Sequence, residues 1–270
     1  MAFTYTAYGL TLKTPFPCPA LPAAPADAFP DVTVAYGAVP MKLADAVASD
    51  DSWTAGFCWQ ASSGCFLLRT GLRTGRFLVE GGRRITVERN PAAEEERIVF
   101  HLLHSGMAAA LRQRGLLVLH ANVALTPSGA VMVSGRSGAG KSTTLAALLQ
   151  RGCAMIADDV AVLRLGATGS VEVLPGIALM HLWEDAAGRL GLNTKGLPPH
   201  PLRPRKAAVA APVVHALPLP LRAMYLLECN GIERLCVFSL TDMDKLVALL
   251  DCVYGPMLPG EHPEQFRLFS

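Results

Sequence analysis

The stretch "GRSGAGKS", residues 135–142, constrains the fold and the chemistry of this chain more than any other segment. It satisfies the pattern G-x-x-x-x-G-K-[ST] at every specified position. The apolar run "AVMVS" precedes it and the helix-forming run "TTLAALLQ" follows it, which is the strand–loop–helix context of a phosphate-binding loop (P-loop). The sequence therefore predicts a nucleotide site between a strand at 130–134 and a helix at 141–151.

The residue types of this loop suit phosphate for physical reasons. Glycines let successive backbone N–H groups turn toward one anion, and the positive end of the following helix adds to the attraction. Lys141 supplies a mobile cation for the outer phosphates, and Ser142 offers a hydroxyl to Mg2+. A glycine-rich turn that binds nothing is the alternative, which the complete pattern disfavours. The predicted nucleotide-binding residues are Gly135, Arg136, Ser137, Gly138, Ala139, Gly140, Lys141, Ser142 and Thr143.

Two adjacent carboxylates, Asp158 and Asp159, follow the apolar run "CAMIA". Such neighbours repel each other and are costly to bury. The strand–helix–strand order predicts a βαβ unit, whose ligands gather at the carboxyl ends of the strands, where the P-loop also lies. A strand-ending turn capped by Asp is the alternative. Beside a P-loop, we favour one carboxylate for Mg2+ and one for a hydroxyl or water aimed at the γ-phosphate.

The remaining pattern predicts a β-rich region at 1–88 and a second domain at 89–270. A helix is expected at 90–114, capped by Asn90 and ended by Gly115. The further expectations are strands at 116–125, 154–157 and "SVEVLP", a hairpin around Asn230-Gly231, and a capped helix in "TDMDKLVALLDCVY".

Composition excludes several classes of protein. The net charge of +2 over 270 residues does not suggest a nucleic acid or an anionic membrane as partner. No signal peptide and no apolar run of about 20 residues is present, so a cytoplasmic protein is expected. The seven cysteines are irregularly spaced, which argues against a zinc or disulfide framework and for burial as small hydrophobic residues.

Other nucleotide-binding classes fit poorly. A GTPase should show an N-K-x-D motif, and "NTKG" at 193–196 does not match it. An ABC-type ATPase should show a signature such as LSGGQ, which the sequence lacks.

The segments "LHANVAL", "VMVSGRSGAGKSTTLAALLQRG" and "MIADDVAVL" resemble the C-terminal catalytic domain of HPr kinase/phosphorylase. The resemblance covers roughly residues 100–230. The N-terminal "YTAYGLTLKTPFPCPALP" looks more like HPr-kinase-like proteins encoded beside lasso-peptide biosynthesis genes, which phosphorylate a precursor peptide. The resemblance implies an α/β P-loop kinase domain of the HPr kinase and phosphoenolpyruvate carboxykinase type, with a mixed sheet, and a smaller β-rich N-terminal region.

The same resemblance implies ATP, Mg2+ and transfer of the γ-phosphoryl group to a serine. Lys141 and Ser142 match its phosphate and metal positions. Asp158 matches the carboxylate that takes the hydroxyl proton, and Asp159 its neighbour, assigned to metal or lysine contact. His120 matches the histidine that contacts the acidic pair; by itself it would more often be a buried structural histidine. The family commonly forms hexamers, which implies a homo-oligomer.

This chain departs from the family at "PLRPRKAAV", which lacks the glycine and asparagine of an R-P-G-R-N-like segment near the substrate site. That puts recognition of HPr and the reverse phosphorolysis in doubt. The segment lies in an acid-free, proline-rich stretch, 186–227, predicted to be irregular and able to close over a substrate. A solvated loop with incidental charge is the alternative. Arg205 and Lys206 are the candidates for stabilising charge at the transferred phosphoryl group.

Other residues are expected to be structural. His101 and His104 have a spacing that suits a metal, but no third ligand stands out, so we expect helix-surface or core residues. Trp53, Trp59 and Trp183 are expected in the core.

The sequence thus predicts an ATP-dependent serine kinase that acts on a protein or precursor peptide. The alternatives are a small-molecule kinase, a nucleotide-binding regulatory or scaffold protein with little turnover, and an enzyme that only hydrolyses ATP.

Overall fold

The computed structural model describes residues 2–53, 56–167, 169–177, 179–211, 216–229 and 235–255. The chain is mixed α/β and divides into two compact units, one that runs through Leu117 and one from Val118 to Tyr254. The helical segment after residue 88, which the predicted division assigns to the second domain, is part of the first unit.

The first unit contains an eight-stranded sheet, which agrees with the β-rich character predicted for 1–88. The strand order is β1-β2-β3-β8-β7-β6-β5-β4, with β3 parallel to both neighbours and the other pairs antiparallel. Alternation of apolar residues buries Leu67, Phe77 and Ile85 completely. The strands are β1 Phe3–Ala7, β2 Leu10–Thr14, β3 Val32–Tyr36, β4 Ala48–Asp50, β5 Phe57–Ser62, β6 Cys65–Thr70, β7 Gly75–Glu80 and β8 Arg84–Arg89.

The helical segment of this unit is interrupted. It consists of α1 (Glu95–His101), a π-helical turn (Leu102–Gly106) and α2 (Met107–Gln113). The predicted cap at Asn90 is wrong: the helix begins at Glu95, and the Asn90 side chain instead donates a hydrogen bond to the carbonyl of Gly71. Gly115 has a φ of +81° two residues after α2 and ends the segment, as predicted.

The second unit contains a mixed seven-stranded sheet of order β12-β10-β11-β18-β14-β13-β9 and a three-stranded sheet of order β15-β17-β16. Helix α3 packs Leu145 and Leu149 against Met155, Met180 and Leu182 in one apolar cluster. The elements are β9 Leu117–Leu119, β10 Ala121–Thr126, β11 Gly129–Gly135, α3 Lys141–Gln150, β12 Ala154–Ala157, β13 Ala161–Leu165, β14 Val171–Leu174, β15 Leu179–Trp183, α4 Glu184–Arg189, β16 Pro199–His200, β17 Arg203–Ala210, β18 Leu219–Leu227 and α5 Asp242–Leu250.

Strand β10 lies between β11 and β12 and is antiparallel to both. Strands β11 and β12 are therefore parallel, with α3 as the connection between them, and their carboxyl ends share one edge of the sheet. The amino end of β10 lies at that same edge. The topology thus brings together the loop after β11, the turn after β12 and the residues that begin β10.

Parts of the sequence prediction for this unit were wrong or lie outside the described residues. Much of the described acid-free stretch is regular. Strand β17 pairs with β15 along 206–210, a segment without proline, so its backbone has hydrogen-bond partners. Strand β18 is the first strand of the predicted hairpin, but 235–240 form no strand and the turn at 230–234 lies outside the described residues. The last predicted helix is α5; its N-cap residue, Thr241, makes no side-chain capping bond.

Among the helices of the described residues, none has both the length and the apolar character needed to cross a membrane.

Candidate active site

The P-loop begins where β11 ends, and its first glycine has no room for a side chain. Gly135 has a φ of +141°, and a Cβ atom there would lie 2.5 Å from the carbonyl oxygen of Leu227 on the neighbouring strand β18. Gly140, at the N-cap position of α3, has a φ of +101°. These left-handed conformations explain why glycine occupies both positions of the motif.

Lys141, the first residue of α3, is buried against the loop. Its Nζ atom donates hydrogen bonds to the carbonyl of Gly135 at 2.7 Å and to that of Arg136 at 3.3 Å. Burial lowers the pKa of the ammonium group, and the negative charge of Asp159 opposes that shift. The predicted phosphate-binding cation therefore lies over the loop, within the electrostatic range of the acidic pair.

Asp158, the first residue after β12, is buried, and only one of its two carboxylate oxygens has a hydrogen-bond donor among the described residues. Its Oδ2 atom accepts a hydrogen bond of 3.2 Å from the backbone N–H of His181, while its buried Oδ1 atom has no partner among the described residues. Burial, with a contribution from the charge of Asp159, raises the pKa of Asp158 to about 7. A buried carboxylate oxygen without a donor is costly, so its presence beside a P-loop indicates a functional role.

Asp159 points toward a different set of partners. Its φ of +67° is unusual for a residue other than glycine and turns the chain sharply after the strand. His120 Nδ1 lies 3.2 Å from Asp159 Oδ1. Burial lowers the pKa of His120, and the charge of Asp159 opposes this shift. A neutral imidazole can contact a carboxylate only as a donor, so Nδ1 carries the proton in that state.

Asn122 is a site residue that the sequence reasoning missed. Its Oδ1 atom accepts a hydrogen bond from the backbone N–H of Asp159 at 3.1 Å, and its Nδ2 atom donates to Ser142 Oγ at 3.4 Å. The side chain is almost completely buried, with 1% of its surface exposed. The available signal was an amide in the otherwise apolar strand "ANVAL", two residues after His120.

Lys206 approaches the acidic pair from β17. Burial lowers the pKa of this lysine, and the charges of Asp159 and Asp158 act in the opposite direction. Its Nζ atom lies 5.2 Å from the ring centroid of Trp183, its partner on β15, a distance suited to a cation–π interaction. The predicted core location of Trp183 is wrong, because the residue is 39% exposed. Trp53 is also exposed, whereas Trp59 is half-buried and stacks on Phe66.

Arg205 differs from Lys206 in direction. The two are consecutive in β17, so their side chains leave the strand on opposite faces. Arg205 is exposed, and its assignment to the transferred phosphoryl group stays a prediction.

The predicted metal ligands fit Mg2+ in their chemistry. The Ser142 hydroxyl and the Asp159 carboxylate are oxygen donors of the kind that Mg2+ prefers, and Asn122 bonds both residues. Mg2+ in nucleotide sites takes few protein ligands, because phosphates and water complete its shell. In the described part of the chain, no group of three or more His, Cys, Asp or Glu residues could hold a metal ion.

The HLLH histidines lie in the first unit. His101 is buried with its Nδ1 atom lacking a hydrogen-bond partner among the described residues, and His104 Nδ1 lies 2.9 Å from the Phe100 carbonyl oxygen. Burial is expected for most of the cysteines: Cys18, Cys58, Cys153 and Cys252 are buried, whereas Cys65 is partly buried and Cys229 and Cys236 are exposed.

Comparison with known proteins adds little to this geometry. No protein-family model matches the chain, and no curated protein matches it either. Among solved structures, the HPr(Ser) kinase/phosphatase from Coxiella burnetii is similar over 28% of this chain and 49% of that chain, with 24% sequence identity and a TM-score of 0.23. The match thus spans about half of that protein. A match with this coverage and this TM-score supports no argument about function, and the functional assignment rests on the residues of this chain.

Proposed function

We propose that this protein is an ATP-dependent kinase that transfers the γ-phosphoryl group of ATP to a serine hydroxyl of a protein or precursor peptide. The observation that carries this proposal is the buried Oδ1 atom of Asp158, which has no donor among the described residues. Asp158 follows β12, whose carboxyl end lies at the same edge of the sheet as the P-loop, with β10 between β12 and the P-loop strand β11. A serine hydroxyl would satisfy that oxygen and would be oriented by it. The complete P-loop motif supports the nucleotide half of the proposal.

The proposed reaction assigns a separate task to each side chain. The serine oxygen forms a bond to the γ-phosphorus as the bond from that phosphorus to the β–γ bridging oxygen breaks, and ADP leaves. The serine proton goes to Asp158. Lys141 and Lys206 stabilise charge on the transferred group, and His120 orients Asp159.

A bound Mg2+ ion would draw negative charge from the β- and γ-phosphates, and Ser142 and Asp159 are the residues that would hold it. The remaining electrostatic stabilisation comes from the charged side chains of this chain. The charges of Lys206 and Lys141 lower the pKa of Asp158, against the larger effects of burial and of Asp159 that raise it. The two lysines therefore also offset the repulsion between the carboxylates.

The acceptor class is proposed from the sequence. A lasso-peptide precursor or an HPr-like protein would carry the serine, and the reaction would take place in the cytoplasm. The exposed Arg203 and Arg205 of β17 support an acceptor with some acidic character, because no carboxylate occurs between Ala186 and Leu227.

Mass spectrometry after incubation with ATP, Mg2+ and serine-containing acceptors tests the proposal. The acceptors are a pool of precursor peptides and HPr, and the variant is Asp158→Asn. Asp185→Asn serves as the matched control, because this carboxylate on α4 is 60% exposed and forms an ion pair with Arg189, four residues on. Phosphoserine that is formed by the wild type and by the control, but not by Asp158→Asn, is the expected result.

Other outcomes point to other functions. Phosphorylation of a small alcohol and of no peptide would indicate a small-molecule kinase. Release of phosphate without any modified acceptor would indicate an ATPase. Tight ATP binding with neither product would indicate a nucleotide-regulated binding protein, and each of these outcomes would overturn the peptide-kinase proposal.

A further inference from the structure

We propose that Asn122 is a positioning residue that links the P-loop to the acidic turn and makes nucleotide binding depend on Mg2+. The inference rests on the proposed function in one respect, that the loop binds a nucleotide together with a divalent cation. It assigns a role to a residue that neither the P-loop motif nor the acidic pair includes.

The direction of the Asn122 amide follows from its partners. The backbone N–H of Asp159 can only donate, so the atom of Asn122 that faces it at 3.1 Å is the carbonyl oxygen. The amino group then faces Ser142 Oγ at 3.4 Å and donates to it. Ser142 Oγ thereby accepts one hydrogen bond and keeps its second lone pair for a cation. The amide orients the hydroxyl in the way that a metal ligand requires.

The other bond of Asn122 acts on the acidic turn. The Asp159 N–H that it binds belongs to a residue with a φ of +67°, a conformation that needs support from its surroundings. Asn122 supplies that support from the neighbouring strand β10, and His120 contacts the carboxylate of the same residue. Asn122 is thus bonded to one candidate ligand directly, through Ser142 Oγ, and to the backbone of the residue that carries the other, Asp159.

Burial makes this link costly unless both bonds are formed. Asn122 is 1% exposed, and a buried amide without hydrogen-bond partners would destabilise the strand. A valine or leucine would pack in such a strand without that cost. The presence of the amide is therefore explained by its position between the P-loop and the acidic turn, and not by the stability of β10. Residues that orient metal ligands typically change metal affinity by about 10- to 100-fold when they are replaced.

The test compares ATP affinity with Mg2+ and with EDTA for the full-length wild type and three variants. Asn122→Leu removes both bonds. Asn122→Asp keeps an acceptor for the Asp159 N–H and loses the donor to Ser142. Thr126→Val is the matched control, because it removes a hydrogen bond to the Gly129 carbonyl at the other end of the same strand. Titration calorimetry gives both affinities without reference to catalysis.

We expect the enhancement of ATP affinity by Mg2+ to fall about 10- to 100-fold in both Asn122 variants. The affinity measured in EDTA should stay within about twofold of the wild type, and Thr126→Val should match the wild type in both conditions. If either Asn122 variant folds and Mg2+ enhances its ATP affinity as much as in the wild type, the inference is overturned. So would an equal loss of affinity with Mg2+ and with EDTA, since that is the result of a purely structural role.

The experiments distinguish a failure of this inference from a failure of the proposed function. A wild type that binds ATP with Mg2+ dependence but phosphorylates no acceptor refutes the kinase and leaves the role of Asn122 to be decided by the affinity ratios. A wild type whose ATP affinity does not respond to Mg2+ overturns the role of Asn122 outright.

Discussion

His120 Nδ1 and Asp159 Oδ1 lie 3.2 Å apart, so the residue that precedes β10 contacts the second residue after β12. Ser134 Oγ holds the backbone on one side of this contact by donating to the His120 carbonyl at 2.8 Å, and the His120 N–H donates to the Cys252 carbonyl at 2.7 Å. The imidazole is thus fixed by its backbone as well as by its ring. Such fixation is what a group that orients a carboxylate needs.

Replacement of His120 by Phe tests this contact. The variant keeps an aromatic ring beside Tyr254, whose centroid lies 5.7 Å from that of His120, and loses the Nδ1 donor to Asp159. We expect phosphoryl transfer to fall about 10- to 100-fold, in line with the loss of an orienting group, with the melting temperature little changed. Steady-state kinetics and a thermal melt measure both. Unchanged transfer would show that His120 is a structural residue.

Asp158→Asn should separate stability from activity. The amide cannot take the serine proton, so transfer should drop by roughly a hundredfold to ten-thousandfold. The substitution also removes a buried charge that has one hydrogen bond, from the N–H of His181, on one of its oxygens. The melting temperature should therefore stay the same or rise. An activity near that of the wild type would exclude Asp158 as the base.

The contact between Lys206 and Trp183 predicts that different replacements of Trp183 lower the rate of transfer to different extents. A cation over an aromatic ring contributes about 0.5–2 kcal/mol, which corresponds to about a two- to thirtyfold change in rate if it holds Lys206 in place. Trp183→Leu should lower transfer within that range, while Trp183→Phe should retain most of it. The two rates are compared at saturating ATP. Equal loss in both variants would indicate that the size of the indole matters and not its interaction with the ammonium group.

His101 predicts how stability depends on pH. Burial lowers its pKa to about 4, below the usual 6.5, with smaller effects from His104 and Arg97. Between these values the unfolded chain binds a proton that the folded chain does not, so the free energy of unfolding falls as the pH falls from about 6.5 toward 4. The total loss is about 3 kcal/mol, and it is complete once the pH is below both values.

The variant His101→Leu should remove that part of the pH dependence. Its melting temperature relative to the wild type should rise steadily as the solution is acidified from pH 7 to pH 4.5. Leu102→Ala, a cavity-forming change at a neighbouring buried position, should shift the melting temperature by a similar amount at each pH. A constant difference between His101→Leu and the wild type would contradict the prediction.

The features that the sequence predicted well depend on residues close together in the chain. The positions of the loop at 135–142, of α3 and of the turn at Asp158 follow from a motif and from local apolar patterns, because the strands and the helix around them carry their own start and stop signals. Phosphate binding by the loop stays a prediction. The β-rich character of 1–88 also follows from local signals, because short runs of strand-forming residues are separated by glycines at several turns.

The features that it predicted poorly depend on register between distant segments. The residue type of Trp183 predicts a core location, yet on β15 it lies opposite Lys206 of β17 and is 39% exposed. Asn122 acquires its role only because β10 lies between β11 and β12, an order that no local pattern specifies. The prolines of the acid-free stretch indicated irregular structure, but hydrogen bonds from β15 make β17 a strand.

The position of β10 between β11 and β12 makes the site sensitive to the number of residues between Gly115 and His120. His120 and Asn122 both reach Asp159 because they are two residues apart, which places them on the same side of an extended backbone. Deletion of a single residue between Gly115 and His120 that shifted the strand by one position would turn both side chains to the other side and withdraw both from Asp159, although every residue of the P-loop and of the acidic pair would remain. Related proteins that share this arrangement should therefore tolerate substitutions in that segment more readily than changes in its length.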